Sequence, residues 1–423
     1  MNNEDKIVDL ALNQYFKSAD YNGYHAYYLP QLLSLSTNEI KELLKNLLKS
    51  EKIDCAIDTF HPNPHIKAFS WIPIEKQIEE VSKVEDLRSV CVYPSKSTLA
   101  NNPTLQSLSN KPYTLKIASG CGQLDFAVFD LSVLENYRND PRYEFETDFI
   151  NGSIAIHSEE VDLVKKSDCV FLKTFGFAFD DDMNRYVAVY LRYLADLSPE
   201  HQQIWNSKEL IGDFKLHPDY YRNSILGEWS EKISIFDAYM EEFAVINVMA
   251  KLLGKPKLFR DDFSNGKPEN FGFLLRPTKK EYFESIHLLD KILSENINKD
   301  FFKGDIDLES DEPRADGKIV VTQKGTIRLL EEWIRLKFKP SEPEIMNKAF
   351  AILKKIRKER QKPAHGLNEN EFNVKYSSDQ RKLILEGYEA LRTLRLILAN
   401  HPKIKADPPE ISSELFKGLI WNY

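Results

Sequence analysis

The chain has 423 residues, of which 42% are hydrophobic, and a formal net charge of −8. This length exceeds that of one ordinary domain, so we expect two or three domains with cores of their own. The negative balance excludes a protein that coats nucleic acid with its whole surface, and it restricts any nucleic-acid contact to a local patch.

The sequence carries no pattern of a membrane segment, a secretion signal or a zinc cluster. No apolar run approaches the ~20 residues that cross a bilayer, and the N-terminus, MNNEDKIVDL, is acidic and polar. The four cysteines lie far apart without a CxxC pair, which favours buried reduced thiols over metal ligands: Cys55, Cys91, Cys121 and Cys169. We expect a cytoplasmic protein with no membrane partner, no metal and no cofactor.

Residues 1–75 have the element order of a winged helix. Two helical patterns precede a capping box formed by Ser36 and Glu39, which begins a third helix. Two strand patterns follow, at 52–58 and 65–69, with a proline-rich tip between them. The order helix, helix, helix, strand, tip, strand resembles the winged-helix fold in outline.

The third helix of this segment carries three lysines on one polar ridge, at four-residue spacing: Lys41, Lys45 and Lys49. The third helix of a winged helix usually faces the major groove, so this ridge is a candidate contact for DNA phosphates. A solvated surface is the alternative interpretation, because Glu39, Glu42 and Glu51 dilute the local charge. A DNA or regulatory partner would bind through residues 1–75.

Residues 76–110 are charged, polar and turn-rich, which predicts a linker. Residues 111–275 predict a mixed α/β middle domain, with strands at 113–118 and 124–129 flanking the tetrad SGCG. The tetrad lacks the GK[ST] ending of a P-loop, so we interpret it as a hairpin turn or bulge. The acidic run DDDMN at 180–184 lacks the later carboxylate of an EF-hand and is interpreted as a strand connector.

Residues 276–423 show four amphipathic helical patterns separated by polar breaks: 277–296, 326–338, 342–360 and 378–400. An acidic loop at 305–316 separates the first two patterns. Helices connected in this way predict an antiparallel helical bundle. The predicted fold class of the chain is therefore multidomain α+β, with a winged-helix-like unit, a mixed α/β middle domain and a C-terminal bundle.

The third helix of the predicted bundle carries its apolar stripe into an arginine. The stripe has spacings of three and four residues: Ile345, Ala349, Ile352, Leu353 and Ile356. Arg360 is the next position on that face, Pro363 limits the helix, and His365 follows. The string RQKPAH is therefore an Arg-x4-His pattern at a helix end.

This arrangement resembles the HEPN superfamily of nucleotide-binding and ribonuclease domains, over roughly the last third of the chain. The matching residues are Arg360 and His365, with Gln361 at the position that is commonly a polar Asn, Asp or His in the family. The resemblance implies a ribonuclease whose composite site forms across a homodimer, and the apolar stripe suits such an interface. Proteins of this arrangement often serve as toxins or in antiviral abortive-infection defence.

The same residue types suit RNA cleavage on chemical grounds. RNA carries its own nucleophile, the 2′-OH, and histidine transfers protons near neutral pH. Arginine stabilises the phosphoryl oxygens, so no metal is required, and the products are a 2′,3′-cyclic phosphate and a 5′-OH. The surroundings are basic, which favours an RNA backbone, and they supply the binding candidates Arg357, Lys358 and Lys362.

Two other interpretations compete with the ribonuclease hypothesis. Arg360 and His365 are also well placed to bond the free carbonyls at a helix end, where cations are favourable. A second match, Arg395-x5-His401, shows that the motif arises by chance. The functional alternative is a non-enzymatic DNA-binding or regulatory protein that uses residues 1–75.

Overall fold

The computed structural model describes the following residues: 2–61, 63–268, 270–313, 319–339, 342–362 and 369–421. They divide into two compact units, Met1–Ile225 and Leu226–Tyr423, and both contain helices and strands. The division lies N-terminal to the boundary that the sequence predicted after residue 275. None of the described helices combines the length and apolar character that crossing a membrane requires.

Unit 1 alternates short helices and strands. Its helices are α1 (Asn3–Lys17), α2 (Leu29–Leu33), α3 (Thr37–Lys49), α4 (Ile74–Lys83), α5 (Lys96–Leu99), α6 (Pro112–Ala118), α7 (Glu135–Arg138), α8 (Leu191–Ala195), α9 (Pro199–Asn206) and α10 (Pro218–Tyr221). Its strands are β1 (Tyr24–His25), β2 (Ile53–Ile57), β3 (Val90–Pro94), β4 (Phe126–Phe129), β5 (Tyr143–Thr147), β6 (Asn151–Ile156), β7 (Phe171–Phe179), β8 (Arg185–Tyr190), β9 (Glu209–Leu210) and β10 (Lys215–Leu216).

The first sheet of unit 1 has the antiparallel order β1-β3-β2. Helices α1, α3 and α4 supply apolar side chains to a shared core with these strands: Ile7, Ala11, Ile40, Leu44, Leu47, Leu48, Ile53, Ile57, Val81, Val90 and Val92. Helix α3 begins with the predicted capping box, which is confirmed. The Ser36 hydroxyl accepts a hydrogen bond from the Glu39 N–H, and the Glu39 carboxylate accepts one from the Ser36 N–H at 2.8 Å.

The partner of β2 is not the strand predicted at 65–69. Strand β3 pairs with β2, with Ile53 opposite Pro94, and it belongs to the segment 76–110 that the sequence predicted as a linker. Every residue of β3 is buried. The segment 65–69 has no strand structure, and it carries Lys67, whose ammonium pairs with Asp54 at 2.5 Å. Strand β3, which is more apolar than the segment 65–69, therefore occupies the position beside β2.

The second sheet of unit 1 has the order β5-β6-β7-β8-β4-β9, with β10 beside β7, and its pairs are antiparallel. The run 180–184 joins β7 to β8, as predicted. One carboxylate oxygen of Asp180 accepts hydrogen bonds from the backbone N–H groups of Asp182 and Asn184, at 3.0 and 2.9 Å. These bonds close the connector between the two strands.

The strand predicted at 113–118 is a helix, α6. Its residues favour strands locally, but contacts from other elements stabilise the helix. Pro112 occupies the first turn, and the Gln202 side-chain oxygen accepts a hydrogen bond from the Tyr113 N–H at 3.1 Å. The tetrad SGCG is consequently a helix-to-strand turn, with Gly120 at a φ of +94°.

Unit 2 is mainly helical. Its helices are α11 (Ile235–Leu252), α12 (Lys279–Asp290), α13 (Thr326–Lys337), α14 (Pro343–Gln361), α15 (Lys375–Ala399), α16 (Pro402–Ala406) and α17 (Ser413–Lys417). Its strands are β11 (Ile233–Ser234), β12 (Glu309–Pro313), β13 (Ile319–Gln323) and β14 (Ile420–Trp421). Strand β12 lies within the segment 305–316 that the sequence predicted as an acidic loop, and it pairs antiparallel with β13, which follows that segment, while β11 and β14 pair in parallel.

The core of unit 2 lies between α11, α12, α14 and α15. The Tyr239 hydroxyl on α11 donates a hydrogen bond to the Ile384 carbonyl on α15, at 2.7 Å. Gly387 permits the close approach, because a Cβ at this position would lie 2.6 Å from the Tyr239 hydroxyl oxygen. Helix α11, which the sequence analysis assigned to the middle domain, therefore packs with the C-terminal helices.

Candidate functional site

Helix α14 buries the apolar stripe that precedes the predicted arginine. Ile345 is exposed, whereas the rest of the stripe is buried: Ala349, Ile352, Leu353 and Ile356. Helices α12, α13 and α15 of the same chain contact α14. The prediction that this stripe forms a homodimer interface is therefore wrong, because the chain's own core already covers it.

Helix α14 ends one residue after Arg360. Its last residue, Gln361, is exposed, and the N–H of Lys362 donates to the Glu359 carbonyl as the helix cap. His365, the second half of the predicted motif, lies outside the described residues. The structure thus locates Arg360 and Gln361 of the three predicted catalytic residues.

Arg360 belongs to a group of four charged side chains, which we call the arginine cluster: Asp290, Glu295, Arg357 and Arg360. The Arg360 Nη1 donates to Asp290 Oδ2 at 2.7 Å and to Glu295 Oε1. The Arg357 Nε lies 2.9 Å from Asp290 Oδ1 and 2.8 Å from Oδ2. The Asp290 side chain is 0% exposed and that of Glu295 is 40% exposed. Asp290 therefore holds both arginines from inside, while Glu295 reaches solvent.

A π turn brings the two carboxylates of the cluster to one side of their helix. Helix α12 ends at Asp290 and continues as the π turn Lys291–Glu295. Five residues of a regular α-helix span about 500°, which would place Glu295 roughly 140° around the axis from Asp290. The wider i→i+5 repeat of a π turn brings such positions together, and these turns often occur at functional sites. Both carboxylates consequently reach the same Nη1 atom.

The cluster leaves one edge of Arg360 available. Hydrogen bonds to Asp290 and then Glu295 raise the pKa of Arg360, so its guanidinium keeps its charge. In the described part of the chain, both of its hydrogen bonds use Nη1, and Nε and Nη2 make none. The Nε–Nη2 edge is a planar fork that fits a phosphate in bidentate geometry. The cluster can therefore fix an arginine and still present it to an anion.

Carboxylates of the same chain balance most of the basic side chains around Arg360. Lys354 pairs with Glu331, Lys355 with Glu386 and Lys362 with Glu359, at 2.6, 2.6 and 2.5 Å. Lys348 and Lys358 are exposed and form no ion pair with a described residue. Of the predicted RNA-binding residues on α14, Lys358 is thus the one with an uncommitted charge.

The lysine ridge of α3 lies in unit 1, and its members have different surroundings. The Lys41 ammonium donates to the Val84 carbonyl at the end of α4, where a cation is favourable. Lys45 pairs with Glu42 at 2.5 Å, and Lys49 is exposed. Lys49 is therefore the ridge residue that remains most available to a phosphate.

The second motif match has a structural role. The Arg395 Nε and Glu242 Oε2 are 2.5 Å apart, and both side chains are buried. The His401 Nδ1 accepts a hydrogen bond from the Lys403 N–H at 3.3 Å and caps α16. Arg395 is therefore buried in an ion pair, whereas Arg360 stays partly exposed at a helix end.

Sequence reasoning missed Asp290 and Glu295. A signal for Asp290 was present, because it lies four residues after Ile286 and three before Leu293, on the apolar stripe of its helix. A carboxylate at such a position needs a cationic partner when it is buried. Glu295 gave no such signal, since the π turn that orients it has no pattern in the sequence.

Among the described residues, no three His, Cys, Asp or Glu side chains are grouped in a way that would hold a metal ion. Compared with known protein families, with curated proteins and with solved structures, the chain matches none. Its function is therefore argued from the arginine cluster and the residues around it.

Proposed function

We propose that the chain is a metal-independent endoribonuclease of HEPN type, with Arg360 and His365 as catalytic residues. The observation that carries the proposal is the uncommitted Nε–Nη2 edge of Arg360, at a helix end, five residues before a histidine. Asp290 and Glu295 hold the opposite side of the same guanidinium. A fixed cation of this kind stabilises charge that develops on phosphoryl oxygens.

In the proposed reaction the RNA 2′-OH attacks the adjacent phosphorus and the bond to the 5′-oxygen breaks. Arg360 binds the phosphoryl oxygens, and His365 transfers a proton at near-neutral pH. Gln361 is exposed beside Arg360 and supplies a further polar contact, while Lys358 neutralises a neighbouring phosphate. The products carry a 2′,3′-cyclic phosphate and a 5′-OH.

The proposal includes a role as a toxin or antiviral defence effector in the cytoplasm. Such a role requires that the rest of the chain senses a trigger or restrains the nuclease. The HEPN resemblance also implies two motifs that face each other across a homodimer. A dimer of this kind would have to use surfaces other than the buried stripe of α14.

Three variants test the ribonuclease proposal: Arg360→Ala, His365→Ala and, as a matched control, His157→Ala. His157 is an exposed histidine of unit 1. We expect the wild type and His157→Ala to degrade total RNA in EDTA and to leave 2′,3′-cyclic phosphate ends. The other two variants should lose about 10²–10⁴ in rate. Equal degradation by all four proteins, or none by the wild type, would refute the proposal.

A second candidate function is that of a non-enzymatic DNA-binding or regulatory protein. The strand order β1-β3-β2 supports it, because a winged helix has the same strand order; here β1 lies between α1 and α2, and α4 lies between β2 and β3. In this reading Lys45 and Lys49 contact phosphates, and Lys41 stabilises the end of α4.

Duplex-DNA binding by Lys45→Ala/Lys49→Ala distinguishes this candidate. Each phosphate contact that is removed should lower the salt dependence of binding by about one unit of slope. Lys76→Ala, which removes an exposed lysine of α4, is the control and should bind as the wild type does. Binding that is absent, or equal in all three proteins, counts against DNA recognition by α3.

A further inference from the structure

Two consecutive tyrosines of unit 1 face solvent, and the packing of the fold does not explain their exposure. The 3₁₀ turn Ala26–Tyr28 buries Ala26 and leads into Leu29, which is also buried. Both of these residues belong to the core beside the first sheet. Tyr27 and Tyr28, between them, are 48% and 55% exposed. The core therefore uses the ends of this turn and leaves two aromatic rings available to a ligand.

Two imidazole rings and a guanidinium surround the tyrosines. The ring centroid of His25 lies 6.1 Å from that of Tyr27, 5.6 Å from that of Tyr28 and 5.0 Å from that of the exposed His65. The Arg88 guanidinium lies over the Tyr27 ring, 5.4 Å from its centroid. We call these five side chains the aromatic platform: His25, Tyr27, Tyr28, His65 and Arg88.

Contacts within unit 1 hold the rings of the aromatic platform in place. The His25 Nδ1 accepts a hydrogen bond from the Tyr27 N–H at 3.2 Å and so caps the turn. Burial and then the neighbouring His65 lower the pKa of His25, so its ring is uncharged near neutral pH and can accept this bond. The His65 Nδ1 lies 3.7 Å from the Sγ of buried Cys91. Side chains that are already positioned lose little conformational entropy when a ligand binds.

We propose that the aromatic platform is a stacking site for the bases of single-stranded RNA, with Arg88 as its phosphate contact. The choice of RNA rests on the ribonuclease proposal, whereas the stacking site rests on the geometry of unit 1 alone. Unpaired RNA bases stack on the rings of tyrosine and histidine, and arginine contacts the adjoining backbone. The platform combines these three residue types on one accessible surface.

The charge of Arg88 is available to a phosphate. Its side chain is 72% exposed, and its guanidinium forms no hydrogen bond with a described residue. The Asp86 carboxylate lies 3.8 Å from the Arg88 Nε, and one of its oxygens accepts the Arg88 N–H as the cap of the following turn. Glu85 is exposed beside them and keeps the local positive charge low. Stacking should therefore supply most of the affinity, and the salt dependence should be shallow.

The polar groups among the rings favour an unpaired RNA strand over an apolar protein surface. An apolar partner would bury the tyrosine hydroxyls, the imidazole nitrogens and the guanidinium without hydrogen bonds, which is unfavourable. A nucleobase offers a π face together with polar edges. A duplex hides its base faces inside its own stack, so we expect it to bind the platform less tightly.

Binding of an uncleavable RNA tests the stacking site in the full-length chain. The probe is a fluorescently labelled 2′-O-methyl oligouridylate of about 12 nucleotides, which lacks the 2′-OH nucleophile. In fluorescence anisotropy, Tyr27→Ala and Tyr28→Ala should each weaken binding about 5–150-fold, the loss of one stacked base. Tyr27→Phe and Tyr28→Phe keep the ring and should bind within about twofold of the wild type.

Two further variants separate stacking from charge and from general surface changes. Arg88→Ala should lower the slope of log Kd against log salt by about 0.7, the value of one phosphate contact on a single strand. Trp71→Ala is the matched control, because it removes an exposed aromatic ring of unit 1 outside the aromatic platform. It should bind the probe as the wild type does.

The outcomes distinguish this inference from the ribonuclease proposal. Wild-type affinity in both alanine variants, or phenylalanine variants as weak as the alanine ones, overturns the stacking site. A duplex or an oligodeoxyuridylate that binds more tightly than the RNA strand overturns the choice of ligand. Expected losses in a wild type that degrades no RNA support the stacking site and refute only the ribonuclease proposal. RNA degradation with no effect of either tyrosine on binding refutes only the stacking site.

Discussion

Replacing Arg395 with methionine should destabilise unit 2 without touching the arginine cluster. The Arg395 and Glu242 side chains are 6% and 0% exposed, with 2.5 Å between Nε and Oε2. Methionine leaves the carboxylate buried without this partner, and breaking such a pair costs about 3–5 kcal/mol. Arg392 lies close enough to lower the pKa of the same carboxyl, so we expect about 3 kcal/mol, the lower end of that range.

The loss should also depend on pH. Burial raises the pKa of Glu242, and the hydrogen bond from Arg395 opposes that rise. Without Arg395 the folded-state pKa moves further above its unfolded value. A raised carboxyl pKa costs no stability at a pH below the unfolded value, and the cost grows as pH increases towards the folded value. Urea unfolding followed by circular dichroism should therefore show a smaller loss at about pH 5 than at about pH 8.

The double variant Glu242→Met/Arg395→Met is the control for this experiment. Removing both charges of a buried pair is often neutral or stabilising, so it should recover most of the lost free energy of unfolding. A loss below about 1 kcal/mol in Arg395→Met, or one that is equal at both pH values, would refute the reasoning. Because Arg395 belongs to the second motif match, the folded single variant should also retain any ribonuclease activity.

Three other changes test the packing, the electrostatics and the capping of the fold. Gly387→Ala should lower the free energy of urea unfolding by about 1–3 kcal/mol, because its Cβ would lie 2.6 Å from the Tyr239 hydroxyl oxygen; unchanged stability would contradict this packing. Burial, with Lys67 nearby, lowers the pKa of His61 to about 4. Protonation in the unfolded chain should then remove about 3 kcal/mol as pH falls from about 6.5 to about 4, and His61→Asn should flatten that slope in urea titrations. Ser36→Ala should cost about 1 kcal/mol in the same assay, since it removes the cap of α3; a loss near zero would contradict the capping assignment.

Local patterns predicted the helices of unit 2 well, because their signals lie within one element. The apolar spacing placed helices at 326–338 and 342–360, and the structure has them at Thr326–Lys337 and Pro343–Gln361. The capping box at Ser36 could be predicted for the same reason. Each pattern has several apolar positions at helical spacing, and together they predict a helix more strongly than the propensity of any single residue does.

Strand pairing was harder to predict because it depends on distant residues. Strand β2 pairs with Val90–Pro94 across an intervening helix, and nothing in β2 itself favours that partner over 65–69. The segment 113–118 has residues that suit a strand, but Gln202 caps it as a helix from elsewhere in unit 1. Tertiary contacts therefore overrode local preference in both places.

The arginine of the candidate site could be predicted from the sequence, but its carboxylate partners could not. Arg360 continues the face of Ile356, so an inward direction followed from helical spacing, and its contact with buried Asp290 agrees. The partners come from a different helix and depend on a π turn at Lys291–Glu295. The local charge also differs from the one that the sequence suggested, because basic residues that lie close together in the sequence form ion pairs with carboxylates in the fold.

Burial, rather than the motif, distinguishes the two arginines that precede a histidine. A phosphate must reach the guanidinium, and an accepted proton must return to solvent in each turnover. The pair of Arg395 and Glu242 is closed to solvent on both sides, so neither event can occur there. The Nε–Nη2 edge of Arg360 makes no hydrogen bond to a described residue, and 26% of the Arg360 side chain is exposed, so a phosphate can reach it.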